Sequence, residues 1–512
     1  MKIANYYHSI RYLKPSQIYW MILRKLFRTP KKHLRKYKNL REIEITQANQ
    51  EKGTFSCIKI FNKEYDFKEL DSDVPLINYH LHYFDYLSEC SIELGKDLII
   101  NWITNFNDFS NMAWDPYPLS LRIVNWIKFI HCHQLNNPEI FNSLYQQAQI
   151  LYHRREYHLR TNHLMKNIVG LMFAGILFDE RKWSEWGIKE LRRQLSEQLT
   201  EDKYHIELSP TYHAIFCQDM LDCLNILQNE EKNLLRNKLA DLLPSALSWC
   251  EYFSDIRGYM PINDVNYEGC PSYSELNEYA ASLNIKPSKN RLTNEHYPTL
   301  TNSTFKVMMY CAQHQPDFNP SHSHDDLCSI LLWHAGKPIL VDTGNYCYDD
   351  TRERHYARST KAHNCFTIED TNQSCMWKVF RVGRRSRILD YEVSSSFISC
   401  SHDGYKHFKV MYKRILKIQG DGFDIEDVFN SCKPFSWKIY FHFHPDTKLT
   451  RKGNELVIND RILISFQAKK WEIIKTEFYP AMFTRQEKQT VIIYGESNSK
   501  RHLSSINLLK IK

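Results

Sequence analysis

Three clusters hold the side chains whose types and spacing suit chemistry. The first is Thr161-Asn162-His163-Leu164-Met165-Lys166-Asn167, which sets an amide donor beside an imidazole that changes charge near neutral pH. The second, Glu207-Leu208-Ser209-Pro210-Thr211-Tyr212-His213, offers the Tyr212 phenol. The third is His322-Ser323-His324-Asp325-Asp326, followed by Asp342 and His363. Histidines two apart on an extended chain face the same way, and a His/His/Asp set gives the nitrogen and oxygen ligands that zinc accepts. Buried, hydrogen-bonded histidines are the alternative. Between Asp342 and His363 runs Arg352-Glu353-Arg354-His355-Tyr356-Ala357-Arg358-Ser359-Thr360, either a fork-shaped site for carboxylate or sulfate or a solvated hairpin loop. Its guanidinium groups are expected to favour ionisation of Tyr356 and make it a base.

The elements that must position these clusters are helical from about residue 95 to 285, then β-like. Apolar spacing predicts helices near 163–178, 182–200, 210–228 and 231–254 with short polar links, so neighbours run antiparallel. That is a run of helical hairpins, a solenoid or a toroid. Thr161 or Asn162 reads as a helix N-cap, and Ser209-Pro210 as a cap followed by a first-turn proline. Helices 163–178 and 210–228, one antiparallel helix apart, run parallel, which puts Asn162, His163 and Tyr212 on one rim. Pro, Asn and charge at 284–300 mark a boundary. Short apolar runs follow at 305–310, 329–333, 338–341, 366–368, 437–443, 456–458 and 491–494, the pattern of an antiparallel sandwich. His442 and His444 read as cross-strand pairing.

Composition narrows the class. Of 512 residues 43% are apolar and 25% charged, which excludes a disordered or fibrous chain. Only 15 glycines occur, with no G-x-G-x-x-G or Walker-type loop, so nucleotide binding by those routes is not expected. Aromatics reach 13%, with 31 Tyr and 11 Trp, flat amphipathic faces that suit sugar rings as well as cores. The +8 charge is concentrated in residues 1–40, which hold eleven Lys or Arg and no Asp or Glu, including Arg24, Lys25, Arg28, Lys31 and Lys32. Such a segment by itself suits an anionic membrane surface, an acidic glycan or nucleic acid, or is a solvated helical face. No nucleic-acid partner is expected. Ile18 to Leu23 is too short for a signal or spanning segment, and the fourteen cysteines form no regular framework. The expected location is the cytoplasm or the inner face of a membrane, with residues 1–40 as the contact.

The motif order is more specific. His322-Ser323-His324-Asp325-Asp326-Leu327, Val341-Asp342-Thr343-Gly344-Asn345-Tyr346, Tyr356-Ala357-Arg358-Ser359-Thr360, Ala362-His363-Asn364 and Phe380-Arg381-Val382-Gly383-Arg384-Arg385 resemble the C-terminal domain of the heparinase II/III family of polysaccharide lyases. Leu81 to Tyr86, Trp114 to Tyr117, Leu121 to Trp126, Asn162-His163-Leu164 and Ser209 to His213 resemble its N-terminal domain. The resemblance spans most of residues 75–480. It implies an α+β chain: a basic N-terminal segment (1–74), an incomplete α/α toroid (75–290) and an antiparallel β-sandwich (291–512), with an acidic glycan in a cleft. It also implies β-elimination at a uronate, with relatives acting on heparan, heparin and alginate.

Carried over residue by residue, Asn162 and His163 look like the donors that neutralise the uronate carboxylate. Tyr212 looks like the acid, or combined acid and base, with Tyr356 as a second tyrosine and His322 as an assisting histidine. His324, Asp342 and His363 match the ligands of a structural zinc. Trp114, Tyr117, Arg122, Arg354 and Arg358 are expected to bind substrate, with Trp126 equally a core residue. Degraders of this family normally carry a signal peptide, which makes the periplasm the family-based alternative location and an exopolysaccharide or capsule task at a membrane a hypothesis. Competing classes are a non-catalytic glycan-binding or assembly protein, a zinc-dependent hydrolase or cupin-like oxygenase, and a glycoside hydrolase using Glu207 with Asp115 or Asp326.

Overall fold

The computed structural model describes residues 2–26, 34–46, 57–61, 63–66, 70–227, 233–255, 258–266, 268–290, 292, 294–431, 433–496 and 501–508. Arg28, Lys31 and Lys32 of the basic segment lie outside the described residues. The chain divides into two units. One, mainly helical, is Leu13–Met260 with Tyr267–Leu292; the other, mainly β, is Met1–Tyr12, Pro261–Asn266 and Thr293–Lys512. Against the expected boundaries at 74/75 and 290/291, two short segments cluster with the β unit: Met1–Tyr12 and Pro261–Asn266.

The helices are α1 (Lys2–Ile10), α2 (Pro15–Leu26), α3 (Pro75–Leu81), α4 (Ile92–Asn105), α5 (Pro116–Cys132), α6 (Pro138–His153), α7 (Thr161–Leu177), α8 (Arg181–Glu197), α9 (Pro210–Ile226), α10 (Asn233–Phe253), α11 (Tyr273–Ser282) and, in the β unit, α12 (Arg352–Ala357). Within the helical unit α5 packs on α7 and α7 on α9, while α6 and α8 lie against α7 and α10 against α9. That is an inner layer of parallel helices covered by an outer, antiparallel one, as in an α/α toroid. Burial follows the layering. Every residue of α7 except His163 is buried, whereas the outer α8 buries only one face, through Trp183, Ile188, Leu191 and Leu195. Lys166 of α7 and Asp219 of α9 form a buried pair at 2.7 Å between inner helices.

The β unit holds an eight-stranded antiparallel sheet in the order Ile388–Val393, Phe397–His402, Met411–Gln419, Gly422–Asn430, Arg501–Leu508, Ile462–Phe466, Glu455–Ile458, Leu449–Lys452. A four-stranded sheet (Lys470–Phe478, Gln486–Glu496, Ser436–His442, Phe366–Ile368) and another (Thr299–Thr301, Phe305–Met309, Ile330–His334, Lys337–Leu340) share one apolar core with it. Leu416 and Ile425 from the first, Ile439 and Val491 from the second, and Val307 and Leu332 from the third meet there. Inside this sandwich Arg414 and Asp427, register partners on adjacent strands, form an ion pair at 2.7 Å with both side chains fully buried. Arg414 also donates to the carbonyls of Cys328 and Asn364, which ties the long sheet to the segment carrying His363.

Removing one partner of such a pair strands a charge in the core. Arg414→Leu is therefore expected to cost about 3–5 kcal/mol, read as a large fall in denaturant midpoint, whereas replacing Arg414 and Asp427 together by apolar residues recovers most of the loss.

Candidate active site

In the helical unit, two strained corners aim the polar residues. The backbone entering α7 has positive φ at Arg160 (62°) and at the first helical residue, the β-branched Thr161 (43°), as does the backbone before α9 at Leu208 (51°). The first corner is braced: Arg160 pairs with Glu197 (Nε to Oε1 2.8 Å), and Gln198 donates to the Thr161 carbonyl at 3.0 Å. Helix α7 begins at Thr161 with Arg160 in the cap position and no side-chain cap. The expected capping by Thr161 or Asn162 is thus overturned, because the φ > 0 corner moves the helix start onto those residues. Ser209 does take the cap position of α9 with Pro210 after it, but its side chain makes no cap bond.

Asn162 is consequently available to another element. Its amide donates to both carboxylate oxygens of the buried Glu207, at 3.1 and 2.9 Å. His163 keeps 30% of its side chain exposed, sets Nδ1 3.2 Å from Glu156 Oε1, and lies 4.7 Å, ring to ring, from the half-buried Tyr117. Burial opposes charge on the His163 imidazole, but Glu156 and, behind it, Glu207 outweigh burial and raise its pKa above the ordinary 6.5. Burial likewise opposes charge on Glu156, and His163 and Asn167 outweigh it, so its pKa falls. Glu156 is further fixed by Asn167, which donates to its Oε2 at 3.2 Å and accepts from its backbone N–H at 2.7 Å. Tyr212 is the third residue of α9 and is 8% exposed. Of the acids a hydrolase would use, Glu207 accepts from Asn162 and Asp115 accepts from the Tyr79 hydroxyl at 2.6 Å.

In the β unit the organising group is Asp264. Its carboxylate takes His322 Nδ1 on one oxygen and His324 Nε2 on the other, each at 2.9 Å, and both guanidinium ends of Arg354. Burial alone would neutralise it; Arg354 and the two histidines hold its pKa well below the usual carboxylate range. Neighbouring Asn263 accepts from the His324 backbone N–H at 2.8 Å. His322 and His324 sit on a loop ahead of the Ile330–His334 strand, and it is the shared carboxylate that orders them. Sequence reading missed Asp264. Only its acid type signals it, because it lies 58 residues from its nearest histidine partner.

His324, Asp342 and His363 are brought together, with one ligand atom from each within 4.8 Å of the others. His363 Nδ1 lies 2.5 Å from Asp342 Oδ2, and Asp342 also accepts from the Gly344 N–H at 3.0 Å. Gly344 is obligatory there: φ is +82°, and a Cβ would stand 2.2 Å from the Tyr479 carbonyl oxygen. Two imidazole nitrogens, His324 Nδ1 and His363 Nε2, are buried with no hydrogen-bond partner. His324 is anchored through Nε2 on the Asp264 carboxylate, the arrangement by which proteins aim metal ligands, whereas His363 Nδ1 rests on Asp342, itself a member of the set. Burial pushes the pKa of His324 down to about 4, which leaves it neutral, the ligand form. The donor set therefore fits a small divalent ion.

Five expectations for substrate and base residues are corrected. Trp114 is 4% exposed, packed on Trp102 and Phe109 with its indole N–H bonded to the Phe106 carbonyl, so it is core. Arg122 is fully buried over Trp102 and spends its guanidinium on Gln147 and the carbonyls of His82 and Ala113. Arg354 is consumed by Asp264 and Asn345, and Arg358 by the carbonyls of Ser323, Lys378 and Val379. All three arginines brace backbone and buried acid where an exposed basic surface was expected. Tyr356 lies on α12, not in a hairpin loop, and burial pushes its pKa up to about 12 despite hydrogen bonds with Thr343 and Thr476. The neighbouring arginines do not ionise it, because their charge is already spent. Trp126 is core, edge-on to Trp102 and Phe84.

The Glu156–His163 pair makes a direct prediction. With Glu156→Gln the protonated imidazole loses its counter-charge while its burial stays, so the His163 midpoint, followed by NMR titration, moves from above 6.5 to below it. An unchanged midpoint would show that Glu156 does not set the charge of His163.

Comparison with known proteins completes the picture. A family model described as heparinase II/III N-terminus matches residues 77–251, and one described as heparinase II/III-like, C-terminal matches residues 285–507. A heparin-sulfate lyase of Pedobacter heparinus is 24% identical over 369 residues, 62% of this chain and 53% of that protein. One of Bacteroides stercoris is 22% identical over 299 residues, 51% of this chain and 44% of that protein. The chain thus spans about half the length of these curated relatives. The crystal structure of a heparinase III shares the fold, with a TM-score of 0.65 at 16% identity over 89% of this chain and 80% of that one. An incomplete α/α toroid joined in sequence to an antiparallel β-sandwich is the architecture of both, and with both domain models matched in order the chain belongs to the heparinase II/III family.

Proposed function

We propose that this chain is a polysaccharide lyase that cleaves a uronate-containing acidic polysaccharide by β-elimination. The observation that carries the reading is the start of α7, where a buried amide and an imidazole biased toward its charged form occupy adjacent residues, His163 being the one position of α7 left accessible. The family membership supports it, and the names of the two relatives make heparan-type glycosaminoglycans the first substrates to try.

The difficulty of the reaction is removing a weakly acidic proton next to a carboxylate. In the proposed mechanism Asn162 exchanges Glu207 for the uronate carboxylate, and protonated His163 supplies the positive charge. A donor of this kind is worth about 10²–10³ in rate. A base takes the ring proton and its electron pair moves into the carboxylate. The pair then forms the new carbon–carbon double bond as the bond to the leaving oxygen breaks, and that oxygen receives a proton from the acid. Tyr212 is proposed as acid, or as acid and base in turn. His322, its Nδ1 fixed on Asp264, is proposed as the assisting histidine, and Tyr356 serves only as a neutral hydroxyl. No water is consumed.

For the metal we propose structural zinc on His324, Asp342 and His363, supported by the two unpartnered imidazole nitrogens. Such an ion would brace the segments that carry its ligands. For location we propose the cytoplasm or the inner face of a membrane, with a task in exopolysaccharide or capsule metabolism. The charge of residues 1–40 supports this, as do cysteines that are all free among the described residues. No helix among the described residues is long and apolar enough to cross a membrane.

Two measurements test the reading. Ultraviolet absorbance of unsaturated uronate should rise on one member of a panel of heparan sulfate, alginate, hyaluronan and the producer's own exopolysaccharide, and Tyr212→Phe or Asn162→Ala should lower that rate by about 10²-fold or more. Silence across the panel with binding retained would favour a glycan-binding protein. Metal analysis should find one zinc per chain, lost in His324→Ala; wild-type protein that retains no metal after zinc loading would remove the zinc assignment.

A further inference from the structure

Helices α1 and α2 are inverted relative to a helix packed in water, with their hydrogen-bonding side chains inward and their large apolar ones outward. In α2, Gln17 is 2% exposed and donates to the His158 carbonyl at 3.1 Å, Ser16 accepts from Arg160, and Trp20 stacks on Tyr157 at 4.8 Å. The opposite face presents Pro15, Ile18, Tyr19 and Ile22, spaced i, i+3, i+4, i+7, with Ile18, Tyr19 and Ile22 at 37%, 58% and 54% exposure, and it ends at Arg24 and Lys25. Helix α1, taken by itself, repeats the pattern. Asn5 and Ser9 are bonded to Cys375, Trp377 and Val382, while Tyr7 and Ile10 face solvent. Three of the thirteen exposed large hydrophobic residues among the described residues, Ile18, Tyr19 and Ile22, fall on this one face of α2, so within the helical unit the exposure is a patch and not a scatter.

We propose that the exposed stripe of α2 is an interfacial anchor that docks this chain on an anionic lipid surface, its apolar residues entering the headgroup boundary and its basic end pairing with lipid charge. Charge complementarity selects the occupant. Residues 1–40 carry eleven basic and no acidic side chains, whereas the rest of the chain balances to 56 basic against 59 acidic, and α2 itself holds Arg24 and Lys25 in its last turn with no acidic residue. Apolar aromatic and aliphatic residues beside Lys and Arg on one helix are what an interfacial helix needs. An acidic glycan would use the charge but not Ile18 and Ile22; a second copy of this chain would use the apolar stripe but meet its own positive charge. The inference gives a surface to the membrane location proposed above and does not depend on the lyase reading.

The test is co-sedimentation of the full chain with vesicles of phosphatidylcholine alone and of phosphatidylcholine with about one third phosphatidylglycerol. The proposal expects binding to the anionic vesicles, weakened by salt. It also expects about tenfold or greater loss in Ile18→Ser/Tyr19→Ser/Ile22→Ser and a smaller loss in Lys25→Glu, with thermal midpoints and any activity on soluble oligosaccharide unchanged. Absent binding, equal binding by wild type and triple variant, or equal binding to neutral vesicles would overturn it. So would a concentration-dependent dimer that the triple variant dissolves, which would assign the stripe to a second copy.

Discussion

A single buried carboxylate sets the geometry of the β unit's chemistry. Asp264 is inaccessible to water, so its charge survives only because Arg354 clamps both oxygens while His322 and His324 each bond one. The three partners are orientated by the same constraint. His322 is held by Nδ1, His324 is held by Nε2, which leaves its Nδ1 unpartnered, and α12 is fastened through Arg354. The helical unit uses the same device on a smaller scale, with Glu207 behind Asn162 and Glu156 behind His163. Each candidate reactive or ligating nitrogen is thus backed by an acid that fixes its direction, and for His163 its charge as well.

This explains where the positive charge for an acidic substrate does and does not reside. The motif resemblance suggested a substrate-facing guanidinium group at 122, and the basic loop suggested those at 354 and 358, but a planar fork with five donors is also the best brace for buried carbonyls and carboxylates. All three are used that way. In the helical unit His163 is an accessible cation of the polar cluster, and its charge depends on a partner seven residues upstream and is opposed by the exposed Arg24. A site built so is tuned by pH, where an arginine-lined one would not be.

Much of the scaffold was legible. Helices α7 to α10 follow from apolar periodicity, and the strands at 366–368 and 455–458 from short β-branched runs between turn residues. The long meander Ile388–Gln419 was not, because Ile388–Val393 is half-exposed or exposed throughout and Met411–Gln419 interleaves its buried Tyr412 and Leu416 with Lys413, Arg414 and Lys417, so neither carries a continuous apolar signal. The meeting of His324, Asp342 and His363 agrees with the motif resemblance, whereas Asp264 needed the fold, since a lone acid in Pro261–Asn266 has no local pattern. Trp114 and Arg122 were misread for a related reason: aromatic-plus-basic sequence looks the same whether it lines a groove or stacks in a core.

The central claim is elimination, and it is tested most directly by running the cleavage in water enriched in heavy oxygen and weighing the fragments. The account predicts unsaturated fragments that carry no heavy oxygen, because the leaving oxygen comes from the glycan and only a proton is exchanged. Saturated fragments labelled at the new reducing end would show that water attacked the bond, and would replace the lyase with a hydrolase.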